Sequence, residues 1–194
     1  MDLFAKHKED FLSKIDKSKK GSIDKPIRSL VDSINKLENY YTTSSCSGRS
    51  VLIHRAKGNK KNNATWLLSS HAKITPAKLI KALEILPTDG EIWFLSEAPI
   101  LHIACATIEG ALSFMRASNE CGFKRSAIIG HKEGKTMVEL IGTNRIEMPI
   151  AIKGELLIER DALSFLAANA NLKMKDSHER LKRLEQSLKI LLDH

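Results

Sequence analysis

The chain has 194 residues, a net charge of +8, and 42% hydrophobic and 28% charged residues, which suits one well-buried core and excludes wholesale disorder. No run approaches the roughly 20 apolar residues that span a bilayer, and the opening Met1-Asp2-Leu3-Phe4-Ala5-Lys6-His7-Lys8-Glu9-Asp10 is too charged for a secretory signal, so a cytoplasmic chain is expected. Cys46, Cys105 and Cys121 are far apart and form no C-x-x-C pair, which argues against a disulfide framework and a structural zinc site.

In chain order, residues 2 to 19 place Leu3, Phe4, Phe11, Leu12 and Ile15 at helical spacing and predict a polar helix with a narrow apolar stripe. Asp24 before Pro26 opens a second helix, carrying Ile27, Leu30, Val31, Ile34 and Leu37 to about Asn39. The run Tyr40 to Arg49 bridges this helix end and the first strand. Ser50 to Ala56 and Ala64 to Ser70 read as a β-hairpin, joined by the basic tip Lys57-Gly58-Asn59-Lys60-Lys61-Asn62-Asn63. Trp66 in its second strand reads as a core residue, with a base-stacking role as the alternative. Pro76 opens a helix to about Leu86, and Pro87-Thr88-Asp89-Gly90 turns into a strand from Glu91 to Ser96.

Pro99 to Cys105 is a further strand, and Thr107 caps a helix that Cys121-Gly122 stops after Glu120. Ser126 to Ile129 and Thr136 to Ile141 make another hairpin. Strands from Glu147 to Ile152 and Glu155 to Ile158 follow. Asp161 is expected to cap a long closing helix to Leu192, with Leu181, Leu184, Leu188 and Leu191 on one stripe. The expected fold is therefore α+β: a mixed β-sheet of two pseudo-duplicated hairpin-plus-helix units, flanked by N-terminal helices and a long C-terminal helix. One domain over 1–194 is expected, with a helical prologue at 1–40, a β-rich core at 41–159 and the closing helix at 160–194.

Two familiar templates are missing. Gly130-His131-Lys132-Glu133-Gly134-Lys135-Thr136 has one residue too few between its glycines for a phosphate loop and joins two strands, so a hairpin turn is expected there. No G-x-G-x-x-G follows a strand, so no Rossmann nucleotide site is claimed, and no H-E-x-x-H or paired Cys/His spacing points to a metal. The unusual stretch is Thr43-Ser44-Ser45-Cys46-Ser47-Gly48-Arg49, a run of hydroxyls, one thiol and a guanidinium, which reads either as a polar turn or as a ligand site. Ser70 and His71, at the far end of the hairpin, should return close to it and make His71 an acid or base. Glu97 and His102 flank the Ala98-Pro99 bend, so either could face the same cleft, or His102 could be core and Glu97 a rim charge. Cys105 and Cys121 sit among apolar neighbours and read as buried, inert thiols. The excess of positive charge points to nucleic acid, and Arg49, Arg55, Lys57, Lys60 and Lys61 cluster without an acid among them. The second basic cluster, Lys173, Lys175, Arg180, Lys182 and Arg183, reads as a solvated helix face.

The order Tyr41-Thr42-Thr43-Ser44-Ser45-Cys46-Ser47-Gly48-Arg49, Trp66-Leu67-Leu68-Ser69-Ser70-His71, Ile100-Leu101-His102-Ile103, Gly122-Phe123-Lys124-Arg125-Ser126 and Glu147-Met148-Pro149 resembles the third wybutosine-synthesising tRNA methyltransferase family in its short archaeal form. The resemblance spans nearly the whole chain. It implies S-adenosylmethionine-dependent methylation of N4 in the tricyclic base made from guanosine 37, beside the anticodon of phenylalanine tRNA, on a fold unrelated to Rossmann methyltransferases. It places Ser45, Cys46, Gly48, Arg49, Ser70, His71 and His102 on family motifs, and Glu97 corresponds although Glu97-Ala98-Pro99 displaces the usual proline by one. Under this reading Arg49 binds a cofactor carboxylate or tRNA phosphate, the Ser45 and Ser47 hydroxyls position polar ligand atoms, and His71 or Glu97 accepts the proton. Cys46 is positional, and Arg55, Lys57, Lys60 and Lys61 grip tRNA. The rivals are a non-catalytic RNA-binding module and a thiol hydrolase built on Cys46 and His71.

Overall fold

In a computed structural model of the chain, the structure describes residues 2–13, 22–56 and 64–192. Ile15, Lys57, Lys60 and Lys61, and the side chain of Leu191, lie outside the described set. The elements in order are α1 (Leu3–Leu12), α2 (Lys25–Lys36), β1 (Tyr40–Cys46), β2 (Arg49–Arg55), β3 (Ala64–Ser70), α3 (Pro76–Ala82) and β4 (Glu91–Glu97). Then come β5 (Ile100–Cys105), α4 (Ile108–Glu120), β6 (Arg125–Lys132), β7 (Lys135–Ile141), β8 (Ile146–Ile152), β9 (Glu155–Leu156) and α5 (Arg160–Leu192). The chain folds as two compact units interleaved in sequence.

The first unit is built from Met1–Ser47, Pro99–Thr143 and Ser177–His194. Its four strands pair in the order β1-β5-β7-β6, every pair antiparallel. One face of this sheet, Leu101, Ile103, Val138 and Leu140, packs with Ile27, Leu30 and Ile34 of α2, Phe114 of α4 and Leu181, Leu184 and Leu188 of α5. Burying each of these large aliphatic side chains stabilises the unit by about 1.5–3 kcal/mol before entropy is counted. On the other face Phe4 of α1 packs against Tyr41 and Ala104, with the Phe4 and Tyr41 rings 5.4 Å apart. α4 starts as its cap predicts, the Thr107 hydroxyl accepting from the Gly110 N–H at 2.9 Å.

β1 departs from the expected loop. Its hydroxyl-rich sequence favours turns locally, but pairing with β5 overrides that preference, from Tyr40 opposite Cys105 to Cys46 opposite Ile100. Asn35 fixes the entry, its Oδ1 accepting both the N–H and the hydroxyl of Thr42, at 2.8 and 3.0 Å. The expected turn after Gly130 is present, for Lys132 pairs with Lys135 across the β6–β7 hairpin.

The second unit is built from Gly48–Ala98 and Asn144–Asp176. Its five strands pair in the order β3-β2-β4-β8-β9, again all antiparallel. The strands thus form two antiparallel sheets where one mixed sheet was expected, within the α+β class that the sequence predicted. Leu52, Ile92, Phe94 and Ile150 point to a core closed by Leu79 of α3 and by Leu163, Leu166, Ala167 and Ala170 of α5. Strand alternation then puts Arg49, Val51, Ile53 and Arg55 of β2 on the opposite face. α5 begins at Arg160, so Asp161 lies in its first turn and is not the cap. Among the described residues no helix is long and apolar enough to cross a membrane.

Candidate functional site

The Ser45–Arg49 segment passes from the first unit into the second after Ser47. On the first side, Asp24 occupies the cap position of α2, yet its side chain makes no cap hydrogen bond. Only 4% exposed, it turns its carboxylate to Ser47, accepting from the backbone N–H at 2.9 Å and from the hydroxyl at 3.1 Å. The Ser47 carbonyl is 3.2 Å from His178 Nε2, and a carbonyl can only accept, so Nε2 carries the proton. Burial holds the His178 pKa below the ordinary value of 6.5, against the opposing pull of that carbonyl bond. Three groups of Ser47 are therefore fixed by a buried carboxylate and a half-buried imidazole. The Ser47 hydroxyl, expected to hold a ligand atom, is spent on Asp24.

Gly48 follows at φ +88°, a left-handed value that a side chain would oppose. That backbone aims its carbonyl at His71, whose Nδ1 lies 3.1 Å away. Hairpin pairing accounts for the meeting, since Ser50 stands opposite Ser70, and the structure thus brings His71 back to the segment as the sequence predicted. On the next strand Arg49 stands opposite Glu97, and its Nε donates to the Glu97 carboxylate. The Arg49 guanidinium also lies over the Trp66 ring, 4.3 Å from its centroid. Gly48, Arg49, Ser70, His71 and Glu97 are thereby gathered at one end of the β3-β2-β4 sheet. Ser70, Ser50 and Ser96 form a cross-strand row there, and the hydroxyl of Ser50, fully buried, has no hydrogen-bond partner among the described residues.

Ser45 and Cys46 belong to β1, opposite Leu101 and Ile100. His102, in the first unit, pairs across the sheet with Ser44 and Glu139, and its Nε2–H donates to the Glu139 carboxylate at 2.8 Å. Arg55 ends β2 six residues beyond Arg49, about 20 Å at the strand rise. It lies 3.6 Å from Glu147 and over the Trp93 ring at 4.6 Å. Cys105 and Cys121 are buried as expected, and burial pushes the Cys105 thiol up to about 12. Trp66 corrects the core reading, being 48% exposed, because β3 edges its sheet. Arg180 is not merely solvated either: it donates to the Gly122 carbonyl at 3.0 Å. Sequence reasoning missed Glu139, His178, Ser50 and Trp93, and gave Asp24 no role beyond marking the start of α2. Only Trp93 carried a signal, its alternation with the buried Ile92 and Phe94.

All strand pairs among the described residues are antiparallel, which separates this fold from the parallel doubly wound sheet of Rossmann enzymes. The solved structure of the PH1069 protein from Pyrococcus horikoshii has the same architecture, with a TM-score of 0.87 at 33% identity, covering 95% of each chain. A crystal structure of a hypothetical protein from Aeropyrum pernix shares the fold at TM-score 0.75 and 24% identity, over 88% of this chain and 100% of that one. The class is thus a non-Rossmann α+β protein with a polar cluster at one sheet end. The chain belongs to the family described as Methyltransferase TYW3, whose model matches residues 6–190. A Thermococcus sibiricus relative named tRNA(Phe) 7-((3-amino-3-carboxypropyl)-4-demethylwyosine(37)-N(4))-methyltransferase is 35% identical over 91% of this chain and 89% of its own length. The tRNA wybutosine-synthesizing protein 3 homolog of Homo sapiens is 34% identical over 98% of this chain and 74% of its own.

Proposed function

We propose that this protein is a cytoplasmic enzyme that transfers a methyl group from S-adenosylmethionine to N4 of the tricyclic wybutosine precursor at position 37 of phenylalanine tRNA. The observation that carries the reading is the Methyltransferase TYW3 match over residues 6–190, together with relatives named for that reaction along almost their whole length. When bound, S-adenosylmethionine supplies a methyl carbon on a sulfonium sulfur, which keeps the bonding electron pair as the new N4–C bond forms. The residues present fit such a donor, whose ribose and amino-acid groups need hydrogen bonds: the buried hydroxyl of Ser50 has no partner among the described residues, a costly state that a ligand would relieve. Ser50, Ser70 and the backbone of Gly48 are the groups that would hold it. Ser45 and Cys46 are proposed substrate contacts.

His71 accepts the proton that N4 sheds. Its Nδ1 donates to the Gly48 carbonyl, which leaves the ring lone pair on Nε2 and fixes the basic tautomer. Glu97 is the weaker choice, because its carboxylate already accepts from Arg49 Nε. Arg49 then serves the RNA side of the reaction, and Lys57, Lys60 and Lys61 supply backbone attraction whose strength falls steeply with salt.

The test is to incubate the protein with methyl-labelled S-adenosylmethionine and tRNA from cells blocked just before this step. Label in the modified base at position 37 is expected. Tight tRNA binding with no label under any condition would overturn the reading in favour of a non-catalytic RNA-binding module.

A further inference from the structure

Both tryptophans of the chain lie on the face of the second unit's sheet opposite its helices, where Val51 is buried but the row through Ile53 stays part exposed. Ile53 pairs with Trp66 on one side and Trp93 on the other, and Trp93 pairs in turn with Pro149. The result is one cross-strand row, Trp66-Ile53-Trp93-Pro149. An arginine lies over each indole, Arg49 at 4.3 Å and Arg55 at 4.6 Å from the ring centroids. The two arginines stand at opposite ends of β2, about 20 Å apart along the strand.

We propose that this face stacks the unpaired bases of an RNA loop, on two indole–guanidinium pairs, and so is the surface that holds the loop of the methyl acceptor. The inference rests on the tRNA reading above and deepens it. Three properties select that occupant. Flat indole and guanidinium planes match the π-faces that unstacked bases expose, and sequence-tolerant stacking on such planes is how single strands are gripped. The carboxylates on the face are already engaged, Glu97 by Arg49, Glu147 by Arg55 and Arg145, and Glu91 by the indole N–H of Trp93. The face is thus close to neutral and presents no uncompensated negative charge to a phosphate. Trp66 also stays 48% exposed, and a half-bare indole on an edge strand is a hydrophobic cost that a stacked base removes.

Because the chain has no other tryptophan, its intrinsic fluorescence reads this face alone. The full-length protein is titrated with an anticodon stem-loop RNA and with a fully paired RNA duplex of equal charge, for the native sequence and for W66F, W66A, W93F and W93A. The stem-loop is expected to quench both tryptophans and the duplex to leave them unchanged. W66A should bind the stem-loop about tenfold more weakly, and W66F, which keeps a flat ring, should bind within about threefold of the native protein. W66F and W93F each retain one tryptophan and keep the test open should an alanine variant fold poorly. Equal quenching by the duplex, or unchanged stem-loop affinity in W66A and W93A, overturns the proposal. Quenching that rises with protein concentration and without RNA overturns it in favour of a second copy of the chain as occupant. Methyl transfer that persists with no stacking signal would leave the enzyme reading standing and remove this one. Stacking without methyl transfer would do the reverse.

Discussion

His71 Nδ1 and the Gly48 carbonyl oxygen lie 3.1 Å apart, across the end of the β2–β3 hairpin. The bond fixes one tautomer and directs the basic nitrogen Nε2 away from Gly48. Replacing His71 with Gln should lower kcat by about 10²- to 10⁴-fold, with KM changed far less. Steady-state methyl transfer measures both. An H71Q enzyme with native kcat would remove His71 from proton transfer.

Glu97→Gln tests the competing base. The Arg49–Glu97 pair is part exposed, with side chains 28% and 40% accessible, so solvent screens it and its loss should change stability by less than about 1 kcal/mol. The melting temperature should fall by no more than ~4 °C. Activity should stay well above that of H71Q, and a larger loss of kcat in E97Q than in H71Q would exchange their roles.

Asp24 is expected to matter for stability more than its place before a helix suggests. Asp24→Ala strands two buried donors of Ser47, at a cost of about 2–3 kcal/mol. Scanning calorimetry should show a fall of roughly 5–10 °C, while removing a cap that makes no bond would show almost none.

His178 predicts a pH dependence. Its folded pKa lies below the ordinary value because burial disfavours the charged ring. The unfolded chain therefore binds this proton more readily, so stability is full above about pH 6.5 and falls as pH drops through that value toward the lower folded pKa. Urea unfolding at pH 7.5 and 5.5 should show a smaller difference in H178Q than in the native protein. An identical difference in both would assign the slope to other groups.

Thiol chemistry should be selective. Cys46 is part exposed, whereas Cys105 and Cys121 are buried and burial raises the pKa of both. Under native conditions an alkylating reagent should mark Cys46 first, as read by mass spectrometry. Cys46→Ser should keep measurable methyl transfer. Complete loss, with folding and binding intact, would make the thiol a participant in the chemistry.

Much of this was legible because it is local. β-Branched and aromatic runs marked β2 and β3, Thr107 and Pro76 marked helix starts, and the similar lengths of two paired strands were enough to return His71 to Gly48. The misses are contacts whose partners lie far apart in sequence. Nothing near Tyr40–Cys46 announces the β5 strand that turns a polar run into β1. Glu139 meets His102 only through the β5–β7 register, and His178 meets Ser47 across most of the chain. Asp24 marked the start of α2, and nothing near it announces Ser47, the distant partner that tertiary structure gives its carboxylate.

α5 contributes Leu163, Leu166 and Ala170 to one core and Leu181, Leu184 and Leu188 to the other. The last of these pack with Ile27, Leu30 and Ile34 near the opposite end of the described chain. On a ribosome, α2 must therefore wait with part of its apolar side uncovered until α5 has been made. Such late, non-local closure is slow and leaves the nascent chain open to aggregation. Losses within the last turns of α5 would thus be felt first in the helices made earliest.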